Sequence, residues 1–334
     1  MNLENMLEIF NTVFFKMLEL FFYMLLGFVG AKSKLIPKET ARYLSILEKN
    51  VFLPAIVLEC FLKQFTLTML KESWILLIVG AVVAFLGVPL CIFLSKFFTN
   101  DSYLRKMYAY GICFANFGFM GKAIVSSIFP EHFVTYLVYL LPLEILLYSW
   151  GIPVLLMNRD FKLTKKGILN IVLNPTMICL LLGMVLGLFG VHAAATGENT
   201  NTIVKGVYNS ALNVISVCGS CMSPIAMLLT GITFASIKFK VVLVQKRIYA
   251  ATFLRLIVIP LLFCGVLALL ARFFDIPKAY FICIASATAM PLGLNTVVIP
   301  AAYGADTTEA SGMALISHTL SILTIPIIFS IFVS

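Results

Sequence analysis

Two short segments of this strongly apolar chain each contain an asparagine, and the polar side chains in and next to them suit the binding of a small anion. Segment 114–121 contains Asn116 and is followed directly by Lys122, and segment 289–296 contains Asn295. A carboxamide can donate hydrogen bonds and a lysine amine carries a positive charge, so both segments offer groups that recognise a carboxylate.

Both segments also contain residues that interrupt helices. Proline removes a backbone donor and glycine accepts unusual dihedral angles, so these positions predict unwound backbone. At membrane depth such backbone is tolerated only where it is buried in protein or lines a cavity. An ordinary kink is the alternative explanation for either segment, but matching breaks in two halves of the chain favour a site. The predicted substrate-binding residues are Asn116, Gly118, Gly121, Lys122, Pro291 and Asn295.

Charged residues inside the predicted membrane spans give further candidates, because charge deep in a bilayer is costly. Lys122 either offers the substrate a cation or extends to the membrane interface. Glu144 either neutralises Lys122 when no anion is bound or is a structural partner. Glu59 either carries a coupling proton or lies in water near a helix end. Glu144 and Glu59 are therefore candidates for charge balance or ion coupling.

The composition places these residues in a membrane protein. The chain has 334 residues, 61% of them hydrophobic and 12% charged, and its mean hydropathy is +1.03. A transmembrane helix needs about 20 apolar residues. We therefore predict an all-α integral membrane protein of about ten transmembrane helices. The predicted spans are 6–31, 40–63, 73–97, 104–129, 132–157, 168–191, 207–236, 248–272, 278–303 and 308–332.

The distribution of Lys and Arg predicts the orientation of these spans, since cytoplasmic loops carry an excess of both. The bias places both termini outside the cell membrane, whether plasma or inner. One predicted inner loop, which carries Asp306 and Glu309, is an exception without a basic residue. The predicted inner loops that hold most of the basic residues are 32–42, 96–106, 159–166 and 238–247.

The halves 1–160 and 161–334 are predicted to be two repeats of five helices. An offset of 224 − 54 = 170 pairs Pro54 with Pro224, and other identities at this offset cluster in the second and fourth spans of each half. An odd number of spans per repeat turns the second copy upside down, which gives the inverted repeat of alternating-access carriers. The other pairs are Leu58 with Leu228, Cys113 with Cys283, Ala115 with Ala285, Met120 with Met290 and Pro130 with Pro300.

Several of these segments resemble the auxin efflux carrier family. Their order and spacing extend over nearly the whole chain, and the short connection between the halves is similar to compact prokaryotic members. Lys122 and Ala123 depart from the family, which has an apolar residue followed by proline there. The segments that carry the resemblance are Ala289–Asp306, Asn116–Gly121, Asn174–Pro175 and Phe52–Ala55.

The resemblance implies that broken fourth and ninth helices cross at mid-membrane. It also implies a scaffold of helices 1, 2, 6 and 7, against which transport helices 3–5 and 8–10 move. Asn116 and Asn295 then lie near the substrate, and Pro291 is the proline of the ninth-helix crossover. Substrates of the family include auxin, malonate and other carboxylates.

We expect a secondary-active exporter of a small organic anion, a carboxylate, that works by alternating access with proton or sodium as coupling ion. A sodium-coupled symporter similar to the bile-acid carriers and a ligand-binding sensor without transport are the alternatives. The sequence contains no catalytic or phosphate-binding motif, and its histidines are dispersed, so we expect no enzyme, cofactor or metal site. Membrane lipid and a second copy in a homodimer are expected partners, and nucleic acid is not, because the basic residues lie in short loops.

Overall fold

The computed structural model describes residues 3–156, 173, 175–197, 200–235, 245–302 and 305–334. Within these ranges the regular structure is helical, apart from one isolated antiparallel bridge between Ala115 and Leu292. The helices are α1 (Leu3–Lys32), α2 (Thr40–Leu47), α3 (Leu53–Gln64), α4 (Leu67–Ser95), α5 (Ser102–Cys113), α6 (Lys122–Ile128), α7 (Phe133–Leu146), α8 (Pro175–Leu188), α9 (Val191–Thr196), α10 (Thr202–Ser220), α11 (Met222–Phe234), α12 (Lys246–Phe253), α13 (Ile259–Leu270), α14 (Lys278–Thr288), α15 (Asn295–Ala302) and α16 (Thr308–Phe332).

Short turns of different helical pitch join several of these helices. Wide π-helical turns are Glu48–Phe52, Phe117–Gly121, Leu147–Leu156 and Leu254–Val258, and Pro130–His132 forms a 3₁₀ turn. A π-turn changes the direction in which the following side chains point, and such turns are frequent at functional sites.

Six helical stretches in the described part of the chain are long and apolar enough to cross a membrane. Helices satisfy their own backbone hydrogen bonds, as a lipid environment requires. The prediction of an all-helical fold is therefore confirmed, and the six candidate spans agree with an integral membrane protein, while the count of ten spans and the inverted repeat stay predictions. The basic residues predicted at 159–166 and at Lys238 and Lys240, together with Asn174, lie outside the described residues. The six stretches are Leu3–Lys32, Trp74–Ser95, Pro130–Leu156, Thr202–Phe234, Lys246–Leu270 and Thr308–Phe332.

The chain leaves the helix in both segments that the sequence marks as interrupted. In the first half α5 ends at Cys113 and helical structure resumes at Phe117. In the second half α14 ends at Thr288 and α15 begins at Asn295. Four half-helices therefore surround the two unwound segments.

The remaining helices pack closely through small residues. Helix α1 packs along α11, where a side chain at Gly27 would collide with the carbonyl oxygen of Leu228 and one at Gly231 with that of Met24. Helix α3 packs along α8. Small residues let helix backbones approach in lipid, where helix association depends on van der Waals contact. These two pairs involve the predicted scaffold helices 1, 7, 2 and 6, and the division into scaffold and transport parts stays a prediction.

Polar contacts join three elements at the end of the molecule where α16 begins. Glu309 forms an ion pair with Arg247 on α12 and accepts a hydrogen bond of 2.6 Å from the hydroxyl of Tyr108 on α5. The Tyr103 hydroxyl donates to the carbonyl oxygen of Asp306 at 3.0 Å. The predicted inner loop without a basic residue of its own is thus paired, through Glu309, with Arg247 on another helix.

Candidate functional site at the helix crossover

The two unwound segments meet through their backbones. Ala115 and Leu292 form the antiparallel bridge, and the N–H of Asn116 donates to the carbonyl oxygen of Pro291 at 2.8 Å. Glycine is required at 293, because an added Cβ would lie 2.9 Å from the carbonyl oxygen of Phe114. The segments satisfy part of each other's freed backbone hydrogen-bonding groups, which reduces the cost of unwinding them away from water.

A buried arginine holds the ends of the two half-helices that enter the crossover. The Arg255 side chain lies in the π-turn Leu254–Val258 and is 1% exposed. Its guanidinium donates to the carbonyl oxygens of Ile112 at 3.1 Å, Met290 at 3.1 Å and Ala287 at 3.3 Å. These carbonyls lie at or just beyond the C-terminal ends of α5 and α14, where helix dipoles concentrate negative charge. Arg255 therefore offsets both negative ends and holds the two half-helices together.

The opposite half-helices begin at the crossover and direct their N-termini toward it. The carbonyl of Asn116 accepts hydrogen bonds from the N–H groups of Met120 at 2.9 Å and Gly121 at 3.1 Å. Helix α15 begins at Asn295. The N-terminal end of a helix carries partial positive charge and favours an anion. The site is thus polarised, with arginine on the side of the carbonyls and positive helix ends on the other.

A cavity of about 40 Å³ lies between these elements. Asn116, Gly118, Lys122, Asn295 and the predicted partner Glu144 all line it. The other lining residues are Lys49, Leu53, Tyr110, Ala115, Phe117, Phe119, Leu147, Gly293 and Leu294.

Gly121 and Pro291 are not among the described lining residues, and each contributes through the backbone. A Cβ at Gly121 would meet the carbonyl oxygen of Ser286 at 2.8 Å and would also collide with the Tyr136 hydroxyl. Gly121 therefore allows close packing beside α14. Pro291 supplies the carbonyl that accepts from Asn116.

Lys122 and Glu144 form a buried ion pair in this cavity. The Lys122 Nζ lies 2.6 Å from Glu144 Oε1, and the two side chains are 2% and 15% exposed. The amine therefore remains inside the protein rather than extending to the membrane interface. Because the pair carries no net charge, an incoming carboxylate would compete with Glu144 for the same amine.

Two further ionisable residues lie near this pair in the π-turn Glu48–Phe52. Lys49 lines the same cavity as Lys122. Glu48 is 0% exposed, and neither of its carboxyl oxygens has a hydrogen-bond partner among the described residues. Lys122 acts on Glu48 electrostatically. A carboxyl group buried in this way needs a counter-charge or a proton.

Glu48 and Lys49 lie within the predicted span 40–63 but are not among the site residues predicted from the sequence. The available signal was their depth in an apolar segment. Their direction could not be predicted, because the π-turn rotates the residues that follow it relative to a regular helix. The roles of all these side chains in binding stay predictions.

The comparison with known proteins identifies the family. A family model described as a membrane transport protein matches residues 12–165 and again residues 157–329. The chain belongs to this family. It is the family of the auxin efflux carriers, so the resemblance noted from the sequence is confirmed. The search of curated proteins found no match. Members of the family are transporters rather than enzymes, which agrees with the lack of a catalytic motif in the sequence.

A second and larger cavity in this transporter lies next to the crossover. It measures about 520 Å³, within the range of about 300–1,000 Å³ typical of small-molecule pockets. Helix α3 reaches both cavities, with Leu53 at the crossover and Ile56 in the large cavity. Helix α6 does the same with Lys122 and Ser126, four residues or about 6 Å apart along the axis. The large cavity therefore lies alongside the crossover, between α1, α3, α10 and α6.

Glu59 lies in the large cavity, apart from Lys122 and Glu144. Its Oε1 is 2.6 Å from Lys63 Nζ one turn further along α3. Lys16 and Glu19 form a similar pair on α1 at 2.8 Å. Both pairs link residues of one helix and are partly exposed, so each contributes little to stability.

Proposed function

We propose that this membrane transporter is a secondary-active carrier that exports a small organic anion bearing a carboxylate. The observation that supports this most directly is the cavity at which two interrupted helices meet, with Asn116, Asn295 and Lys122 in its lining. Unwound backbone, helix N-termini and amide side chains at such a crossover are the means by which carriers bind charged substrates.

The charge of the cavity favours an anion over a cation. Lys49 and Lys122 line it together with one carboxylate, Glu144, and the N-termini of two half-helices point toward it. A substrate carboxylate that displaces Glu144 from Lys122 would gain a charge-assisted hydrogen bond. Lys49 could contact a second polar group of the same substrate.

The two cavities support alternating access. The crossover cavity has room for only a few water molecules, so a substrate enters after the helices around it separate. The large cavity supplies a route to it from the side of Lys63. We place that side outside the cell by the positive-inside rule. We further propose that the predicted transport helices, spans 3–5 and 8–10, move as a unit against the scaffold helices α1, α3, α8 and α11, in an elevator-like motion. Export is proposed because the chain is related to efflux carriers.

Transport in proteoliposomes tests this proposal. The probes are radiolabelled malonate, acetate and indole-3-acetate, preceded by a thermal-shift screen in which a bound ligand raises the melting temperature. We expect Asn116→Ala and Asn295→Ala each to reduce counterflow at least tenfold while the protein remains folded. Asn209→Ala, an exposed amide on α10, is the matched control and should transport like the parent protein. Full transport by both crossover variants would contradict the proposal.

A further inference from the structure

A histidine next to the crossover contacts the side chain of Asn116, the amide that binds the substrate in the proposed function. His318 lies on α16 and is 2% exposed. Its Nδ1 lies 2.8 Å from the carbonyl oxygen of Ala314, and its Nε2 lies 3.2 Å from Nδ2 of Asn116. The ring packs edge-on against Phe234, with centroids 5.3 Å apart. His318 lies within the predicted span 308–332 but is not among the site residues predicted from the sequence.

These contacts define which nitrogen of His318 carries the proton. A carbonyl oxygen only accepts hydrogen bonds, so Nδ1 must be the donor to Ala314. In a neutral imidazole the other nitrogen, Nε2, is then an acceptor. The Asn116 group that faces it must therefore be the amide nitrogen, with the amide oxygen at the opposite end of the carboxamide.

This arrangement uses a donor that an anion would need. Asn116 lines the crossover cavity, yet one N–H of its amide is directed at His318. If a proton from water adds to the lone pair of Nε2, that nitrogen becomes a donor and can no longer accept from Asn116. Rotation of the carboxamide by about 180° places its oxygen on Nε2–H and releases both amide N–H groups. The protonated ring also brings a positive charge close to the site.

We infer that His318 is a positioning residue for the crossover and that binding of an anion at Asn116 is linked to uptake of one proton by His318. This inference rests on the proposed function, because it concerns the same site. When His318 is neutral, one N–H of the Asn116 amide donates to the ring and is not free to bind the anion. Protonated His318 holds Asn116 in a state that offers both donors, and the bound anion stabilises the added charge.

Other ionisable groups near α16 must be distinguished from His318. Glu48, Lys122 and Glu144 share the crossover cavity or act on it. Arg255 is occupied by three carbonyl oxygens, and Arg247 and Tyr108 are occupied by Glu309 of α16 itself. The charged groups on the elements packed against α16 are Glu4, Glu8, Lys16, Glu19, Lys32, Arg105, Lys106, Lys246, Arg247, Arg255 and Lys278, and the other titratable groups are Tyr23, Tyr103, Tyr108, Tyr110, Cys113, Tyr249, Cys264, Tyr280 and Cys283.

The first test needs no ligand. In full-length protein labelled with ¹⁵N at histidine, the His318 signals are assigned by their loss in His318→Gln. We expect a neutral ring with hydrogen on Nδ1 and an Nε2 signal that moves in Asn116→Ala. A ring with hydrogen on Nε2, or an Nε2 signal unaffected by Asn116→Ala, would overturn the inference whether or not the protein transports anions.

The second test measures malonate and acetate binding between pH 6.5 and 8.5. Where His318 is neutral in the free protein and protonated in the complex, uptake of one proton per anion makes the Kd rise about tenfold for each unit by which the pH increases. Glutamine at 318 can accept from Asn116 but cannot be protonated, so His318→Gln should bind with a Kd that changes less than threefold over this range. His192→Gln is the matched control, because His192 bonds to Tyr208 instead, and it should keep the slope of the parent protein.

Two results of this experiment would overturn the inference. One is anion binding by the parent protein with a Kd that does not change over this pH range. The other is a slope that persists in His318→Gln, and its loss in Glu48→Gln would then assign the proton to Glu48. If neither probe binds to any of these proteins at any pH, it is the proposed anion function that fails, and the labelled-histidine experiment still judges the role of His318.

Discussion

The buried pair Lys122–Glu144 gives a prediction that is easy to refute. Replacing either residue alone should lower the stability of the protein far more than replacing both together. The amine and carboxylate are 2.6 Å apart and nearly inaccessible to solvent. Lys122→Met or Glu144→Met leaves one buried charge without its partner, which costs about 3–5 kcal/mol. Replacing both residues removes the uncompensated charge, so the double variant should lie within about 1 kcal/mol of the parent protein.

These energies translate into melting temperatures that can be measured in detergent. At this chain length 1 kcal/mol corresponds to a shift of about 2 °C, so each single variant should melt about 6–10 °C lower and the double variant within about 2 °C of the parent. The matched control is the pair Glu59–Lys63, where Glu59→Met leaves a lysine side chain that is 36% exposed and should change stability by less than about 1 kcal/mol. A double variant as unstable as the sum of the singles would refute the ion pair, since independent sites add.

Two other perturbations test the architecture around the site. Arg255→Met removes three hydrogen bonds from a charged donor and should lower the melting temperature by several degrees in the same assay. Arg272→Met, at an exposed position, should leave it unchanged. Equal stability of the two variants would contradict the role of Arg255 at the crossover. In a background without reactive cysteines, Ser127→Cys in the large cavity should react with a membrane-impermeant maleimide added outside intact cells. Leu86→Cys, exposed on the apolar helix α4, should not react. Lack of reaction at 127 would contradict the proposed outer route.

The sequence by itself indicated that the chain lies in lipid and showed where its helices are interrupted. Apolar spans of about 20 residues have the length of a membrane-crossing helix, which satisfies its own backbone hydrogen bonds in lipid, so composition and span length were sufficient for the fold class. The breaks near Asn116 and Asn295 were also predictable, because glycine and proline act on the backbone locally. The large cavity had no comparable signal, since it lies between helices whose contacts depend on the whole packing.

Only the tertiary structure decided which partners the charged and polar groups find. Arg255 binds the ends of two half-helices far apart in sequence, and Glu309 takes its cation from α12. His318 meets Asn116 across 202 positions of chain. Such contacts join groups whose distance is set by how helices cross and how π-turns rotate their side chains. The sequence shows which charges lie in apolar segments and therefore need a partner. Which group becomes that partner depends on the geometry of the folded chain.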